Sequence, residues 1–167
     1  RHGLLLLSDE IYEPFLYDRA RGLPSAARSY DNTILLRGFS KSHAMTGWRI
    51  GYATGPAEIL QQMTKLRQYT FVCAPSPLQD AALTALDVSM RDAVETYRQK
   101  RDLVCERLSR KFDLVIPGGA FYIFPKAPAG ATASDFVTRA IANNVLIIPG
   151  NVFSERDTHF RISYATS

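Results

Sequence analysis

Gly38-Phe39-Ser40-Lys41-Ser42-His43-Ala44-Met45-Thr46-Gly47-Trp48-Arg49-Ile50-Gly51-Tyr52 is the stretch on which the reading of this chain turns. An apolar run at residues 33–36 leads into it, and a second, at 50–54, leaves it and is closed by Gly55-Pro56. Apolar runs of this length without period-two alternation read as strands covered on both faces. The stretch therefore places Lys41 in a loop after a strand, between the hydroxyls of Ser40 and Ser42. Arg49 follows eight positions on, between Gly47 and Gly51. Lysine is the side chain that condenses with an aldehyde, provided its amine is held partly deprotonated. Ser40 and Arg49 are the kinds of group that hold a phosphate, a hydroxyl donor and a planar guanidinium fork. By residue type alone, a solvated loop lysine and a surface ion-pair arginine are the commoner reading. The Walker phosphate loop is absent, which excludes that kind of nucleoside triphosphate site.

Upstream, residues 4–7 are four leucines, a third buried-strand signal, and Ser8-Asp9-Glu10-Ile11-Tyr12 follows at once. The carboxyl end of a strand is where α/β folds place ligand-binding groups, although an isolated Asp there is more often a loop cap. A loop rich in Tyr, Arg, Pro and Gly joins this strand to the next. Downstream, Pro56 suits the first turn of a helix whose apolar stripe is Ile59, Leu60, Met63 and Leu66. Ala74-Pro75-Ser76-Pro77 breaks that helix, and residues 78–86 form another. Val94, Tyr97, Val104, Leu108 and Phe112 recur at helical spacing and predict a long helix over 90–112.

Beyond the long helix the pattern changes. Residues 114–116 and 121–124 read as a strand pair around a Pro117-Gly118-Gly119 turn. Ser134 is the expected N-cap of a helix over 135–143, and strands are expected at 145–148 and 160–164. The last of these contains Arg161. An arginine inside an apolar strand is costly unless paired, or else it sits at an edge with its head group in water. The chain is expected to divide near residue 90, into 1–89 and 90–167.

The composition narrows the class. With 167 residues, 46% hydrophobic and 22% charged, the chain has an ordinary globular balance and can bury a core. A net charge of +4 is too modest to imply a nucleic-acid partner. The basic cluster Arg98, Lys100, Arg101, Arg107, Arg110 and Lys111 is interleaved with Asp102 and Glu106, as on a solvated helix face. Cys73 and Cys105 form no CxxC pair, and His2, His43 and His159 show no metal-ligand spacing, so no metal is expected. A reduced, cytoplasmic setting is expected. The leucine run is too short for a signal peptide or a membrane span. The chain opens on Arg1 and enters a strand almost immediately, which suggests a piece of a longer protein.

Ser-Lys-x-x-x-Met-Thr-Gly-Trp-Arg-x-Gly-Tyr, as it stands at residues 40–52, resembles the cofactor-lysine segment of class I and II aminotransferases, in the aspartate-aminotransferase superfamily. The resemblance extends from the Asp9 strand to the Arg161 strand, essentially the whole chain. It implies pyridoxal 5'-phosphate as cofactor and Lys41 as the Schiff-base lysine. Ser40 and Arg49 would bind the cofactor phosphate, Asp9 would pair with the pyridine nitrogen, and Tyr12 would donate to the phenolate oxygen. Arg161, in Phe160-Arg161-Ile162-Ser163-Tyr164-Ala165, would grip the substrate α-carboxylate. Gly119-Ala120-Phe121-Tyr122 resembles a family segment near the substrate, although core packing is the expected role of Tyr122, as of Phe39, Met45 and Trp48. One position departs: many relatives carry a phosphate-binding hydroxyl three residues before the lysine, where this chain has Gly38.

The implied fold is α/β, the C-terminal part of a PLP-transferase large domain with a mostly parallel sheet, followed by a small α+β domain on a long linking helix. The implied function is amino-group transfer between an amino acid and a 2-oxo acid by a homodimer, with no membrane and no nucleic acid involved. A β-lyase or synthase of the same fold, or the aminotransferase-like sensor domain of a transcription regulator, are the alternatives. The family's stacking aromatic, its phenolate-side asparagine and a helix-terminal phosphate turn come from a region with no counterpart here. The isolated chain is therefore expected to be inactive, to hold the cofactor poorly and to leave apolar sheet surface uncovered.

Overall fold

The computed structural model describes residues 2–17 and 24–166, so part of the expected loop between the first two strands lies outside the described residues. The chain divides into two compact units, Arg1–Arg91 and Asp92–Ser167.

In the first unit, β1 (Leu6–Asp9), β2 (Thr33–Gly38) and β3 (Gly51–Thr54) form a sheet in the order β1-β2-β3. β1 runs parallel to β2, with Asp9 opposite Leu36, and β3 runs antiparallel to β2, with Gly38 opposite Gly51. The leucine run starts its strand two residues later than expected, and its side chains are not covered on both faces. Leu4 and Leu7 are 69% and 62% exposed, and Leu5 and Leu6 are exposed as well. Apolar composition states what a strand requires against its faces but not which element supplies it.

Helix α1 (Ala57–Arg67) starts just after Pro56, whose carbonyl accepts from the N–H groups of Ile59 and Leu60, so Pro56 is the cap residue and not part of the first turn. Helix α2 (Ser76–Leu86) opens two residues earlier than the prolines suggested, because Pro77 fits the first turn, where no N–H is required. Phe39, Ile50, Ala82 and Ala85 form a buried cluster with Met45, Ala74 and Leu78 against it, so α2 is packed beneath the loop that carries Lys41. Trp48, expected in that packing, is instead 46% exposed.

The second unit contains α3 (Arg91–Leu108) from its second residue onward, β4 (Tyr122–Ile123), α4 (Ala133–Ala142), β5 (Ile148–Pro149) and β6 (Phe160–Ser163). Its sheet has the order β4-β6-β5, antiparallel throughout. The long helix stops at Leu108 instead of reaching Phe112. The N–H groups of Lys111 and Phe112 both turn back to the Leu108 carbonyl, and Phe112 packs edge-on against Phe136 and Phe160. The side chains of Arg98 on this helix and Arg110 just beyond it are exposed and ion-paired to Glu95 and Glu106, as the interleaved charges imply, whereas that of Arg101, paired to Asp102, is only 15% exposed and departs from the solvated face expected.

The pairing of 114–116 with 121–124 does not form: β4 pairs with β6, while Val115 and Ile116 are 84% and 64% exposed. Pro117 cannot donate to a ladder, and its carbonyl is taken by the Arg101 guanidinium. The cap of α4 is Thr132, whose hydroxyl oxygen accepts from the Asp135 N–H at 3.1 Å, and not Ser134. Ser134 lies inside the first turn, where its own N–H donates to Asp157. The strand expected at 145–148 shrinks to Ile148–Pro149, leaving Leu146 86% exposed.

Candidate functional site

The register of the first sheet brings three loop ends to one edge. β1 and β2 are parallel, so both finish at that edge, and antiparallel β3 begins there. Asp9 is the last residue of β1, Tyr12 lies three positions beyond it, Ser40 and Lys41 follow β2, and Arg49 precedes β3. Five of the six expected site residues therefore gather along a single sheet edge. Arg161 belongs to the second unit.

Asp9 and Glu10 take opposite directions, as successive residues at a strand end do. Asp9 is exposed, and its carboxylate accepts from the Ile11 N–H at 3.1 Å. Glu10 is buried, accepting from Ser25 Oγ at 2.7 Å, Ser8 Oγ at 3.2 Å and Arg37 Nη2 at 3.0 Å. The backbone continues the ladder through Glu10 N–H to the Leu36 carbonyl, then enters a 3-10 turn, Glu13–Phe15, anchored by the wholly buried Phe15. Tyr12, half-buried, caps that turn with its carbonyl.

Burial pushes the Glu10 carboxyl upward, but the hydrogen bonds from Ser25, Arg37 and Ser8 and the charge of Arg37 outweigh it and leave it below the usual carboxylate range. A carboxyl depressed in the folded state stabilises the fold above its unfolded pKa, and that contribution disappears as pH falls through the lower folded value. Glu10→Gln should accordingly cost about 1.5–3 kcal/mol at neutral pH, the range for a hydrogen-bonded charged group, and the difference from wild type should vanish in acid. Urea unfolding of both proteins across pH 3–7 checks this; a difference independent of pH would remove the charge from the account.

The lysine loop is built by close backbone approach. A Cβ placed on Gly51 would fall 2.8 Å from the Arg37 carbonyl oxygen, and one on Gly38 would fall 2.9 Å from Ile11 Cδ1 and 3.3 Å from the Ile50 carbonyl oxygen. A side chain at Gly38 would therefore have to move the end of the Ile11 side chain. Beyond Gly38 the buried Phe39 carbonyl accepts from His43 and Met45 N–H groups, and Thr46 Oγ1 donates to the Ser40 carbonyl at 2.9 Å. Ser42 is held by the Gly38 carbonyl and His43 Nδ1. Arg49 adopts left-handed backbone angles (φ 54, ψ 46), and one of its guanidinium nitrogens donates to the Thr46 carbonyl at 3.1 Å. Among the described residues, neither Lys41 Nζ nor the Ser40 hydroxyl has a hydrogen-bond or ion-pair partner. The folded loop therefore engages its backbone and leaves these two side-chain ends available.

A cleft of about 1110 Å³ lies between this sheet and α1, lined by Leu36, Ala53, Leu60, Met63 and Phe71, with Asp9 at its margin. Tyr12, Ser40, Lys41 and Arg49 do not line it, so Asp9 is the one residue of the sheet-edge group at the cleft.

In the second unit, Arg161 projects from the middle strand on the face opposite the core. Phe160 and Ile162 belong to the core side with Val137 and Ile147. Ile123 pairs with Ile162 and is 1% exposed, which sends Tyr122, opposite Ser163, to the Arg161 side. The Arg161 guanidinium carbon lies 4.5 Å from the Tyr122 ring centroid and 4.4 Å from that of Phe153. Tyr122 is therefore not a core residue. Phe153 and the Glu10–Arg37 tie were missed in the sequence. The first signal for Tyr122 was present in the period-two alternation Phe121-Tyr122-Ile123, whereas nothing local marks Phe153.

These arrangements can be set beside known proteins. The family model described as aminotransferase class I and II matches residues 1–167. A probable aspartate aminotransferase of Methanocaldococcus jannaschii is 38% identical over 99% of this chain and 46% of its own length. A probable N-acetyl-LL-diaminopimelate aminotransferase of Bacillus subtilis is 41% identical over 99% of this chain and 44% of its own. Among solved structures, the aromatic aminotransferase of Pyrococcus horikoshii superposes with a TM-score of 0.90 at 38% identity, covering 99% of this chain and 48% of that one. Aspartate aminotransferase of Thermotoga maritima does so with a TM-score of 0.91 at 32% identity, over 99% and 44%. The chain thus spans a little under half the length of the relatives it matches. A likeness that holds in both sequence and backbone from one end of the chain to the other reaches well beyond a single lysine motif, and this chain belongs to the class I and II aminotransferase family.

Proposed function

We propose that the chain carries the cofactor-holding and carboxylate-holding residues of a pyridoxal-phosphate-dependent aminotransferase, which moves an amino group from an amino acid to a 2-oxo acid. The observation that supports it most directly is the donor set along one sheet edge, with Lys41 Nζ and the Ser40 hydroxyl unengaged. The set fits the cofactor group by group: a carboxylate for a ring nitrogen, an amine for an aldehyde, and a guanidinium with a hydroxyl for a phosphate. On this reading residues 1–89 belong to the larger, cofactor-binding domain and 90–167 to the smaller one.

When bound, pyridoxal phosphate supplies an electron sink for the pair left by a departing Cα proton. Asp9 keeps a proton on the ring nitrogen, since a carboxylate beside a base favours its charged form. Tyr12 donates a hydrogen bond to the ring oxygen. Ser40 and Arg49 hold the phosphate. Lys41 would hold the aldehyde covalently and, once the substrate amine has displaced it, its free amine would serve as the base that takes the Cα proton and the acid that delivers it. Arg161 fixes the α-carboxylate. With a second 2-oxo acid as acceptor, the same residues would serve the reverse transfer. A homodimer in a cytoplasmic setting belongs to the same reading. Both cysteines are free, Cys73 exposed and Cys105 buried, which suits a reducing compartment.

The test is a half-reaction in the full protein. Adding an amino acid alone should convert the cofactor from its aldehyde to its amine absorbance with one equivalent of 2-oxo acid released, and a 2-oxo acid should reverse it. Release of ammonia with the aldehyde form regenerated would instead identify an eliminating enzyme of the same fold.

A further inference from the structure

We infer that Tyr122 and Phe153 are positioning residues for Arg161, holding its guanidinium by the ring faces so that its N–H edge stays available for a planar carboxylate; this rests on the reading of Arg161 given above. The guanidinium carbon lies over both rings, at 4.5 and 4.4 Å from their centroids. Guanidinium N–H donors point outward in the plane of the group, so attraction to an aromatic face consumes none of them. Among the described residues none of these donors meets an acceptor. Arg98 shows the contrast: Glu95 and Asp102 engage all three of its guanidinium nitrogens. A ligand carboxylate offers two coplanar oxygens that match the fork of Arg161.

The two rings arrive by independent routes. Tyr122 is brought by the β4–β6 ladder, where it stands diagonal to Arg161 on the same face. Phe153 is brought by a 3-10 turn, Gly150–Val152, that follows β5. That turn requires Gly150: a Cβ there would fall 2.5 Å from the His159 carbonyl oxygen, the same oxygen that accepts the Gly150 N–H at 2.7 Å. The Phe153 N–H then closes on the Gly150 carbonyl at 2.9 Å, fixing the residue that carries the ring. Phe153 is 50% exposed, so its ring is not explained by core burial.

In the full protein loaded with pyridoxal phosphate, Tyr122→Leu and Phe153→Leu should each raise KM for the amino acid about 5- to 30-fold, equivalent to about 1–2 kcal/mol at 1.4 kcal/mol per tenfold. kcat should move much less, because the contact is made to substrate and transition state alike. A readout independent of turnover is calorimetric binding of 3-phenylpropionate, a carboxylate without an amine, which should weaken by the same factor while the cofactor dissociation constant stays constant. Tyr122→Phe and Phe153→Tyr should recover the affinity the leucine variants lose. Phe153→Met keeps the volume without the ring and replaces Phe153→Leu if that variant fails to fold. Arg161→Leu separates the two claims. If it leaves KM unchanged, the carboxylate reading of Arg161 fails. If it raises KM while folded leucine or methionine variants bind 3-phenylpropionate as wild type does, the inference fails on its own.

Discussion

Lys41→Ala in the full protein should abolish covalent retention of pyridoxal phosphate and reduce amino-group transfer by at least the 10²–10⁴-fold that positioned proton transfer contributes. The true loss should be larger, because on the proposed reading one amine serves twice, first as the covalent anchor and then as the base. The loop around it should remain folded. Its structure depends on Phe39 and Ile50 in the core, on the Gly38–Gly51 approach and on backbone hydrogen bonds, none of which involves the lysine amine. Borohydride reduction followed by peptide mapping reads the result directly. Wild type should yield one pyridoxyl-labelled peptide containing residue 41, and the variant none. A labelled peptide at Lys65 in both proteins would show that the wrong amine had been chosen.

Arg161→Ala should raise KM for amino acids about 30- to 4000-fold, the equivalent of the 2–5 kcal/mol lost when one partner of a buried, hydrogen-bonded charge pair is removed. Cofactor affinity should change little, since the side chain belongs to a different compact unit from Lys41, Ser40 and Arg49. The effect should exceed that of either ring variant, because alanine removes the donors themselves whereas losing Tyr122 or Phe153 only loosens them. Steady-state kinetics with a monocarboxylic amino acid, alongside fluorescence titration of the cofactor, distinguishes the two. Unchanged KM would return Arg161 to a merely structural position in β6. A parallel loss of cofactor affinity would mean that the variant had disturbed more than the carboxylate contact.

Much of the architecture was legible because it depends on local pattern. The apolar runs located β1, β2 and β3 to within two residues, and helical spacing located α1 and α3. Boundaries failed where the deciding partner was distant or where two nearby groups competed. Thr132 and Ser134 are both good caps by residue type, and only the choice of the Asp135 N–H separates them. Residues 114–116 have strand composition, but β4 found β6 instead, some forty residues further on, a choice of partner that no local pattern states. The leucines of β1 show the same limit in another form: they announce burial, yet within the described residues they are exposed.

By itself, then, the sequence determined the family, through a lysine-to-tyrosine segment whose residue types and spacing are specific, and the order in which its chemistry-bearing side chains occur along the chain. Only the tertiary structure decided which of them lie close together. Parallel pairing of β1 with β2 and antiparallel return of β3 place Asp9, Tyr12, Ser40, Lys41 and Arg49 at one edge, since strand direction is a property of pairing and not of any single strand. The Glu10–Arg37 tie and the two rings on Arg161 also emerge only there. Contacts between residues far apart in sequence depend on register, and a shift of one residue in register sends a side chain to the opposite face.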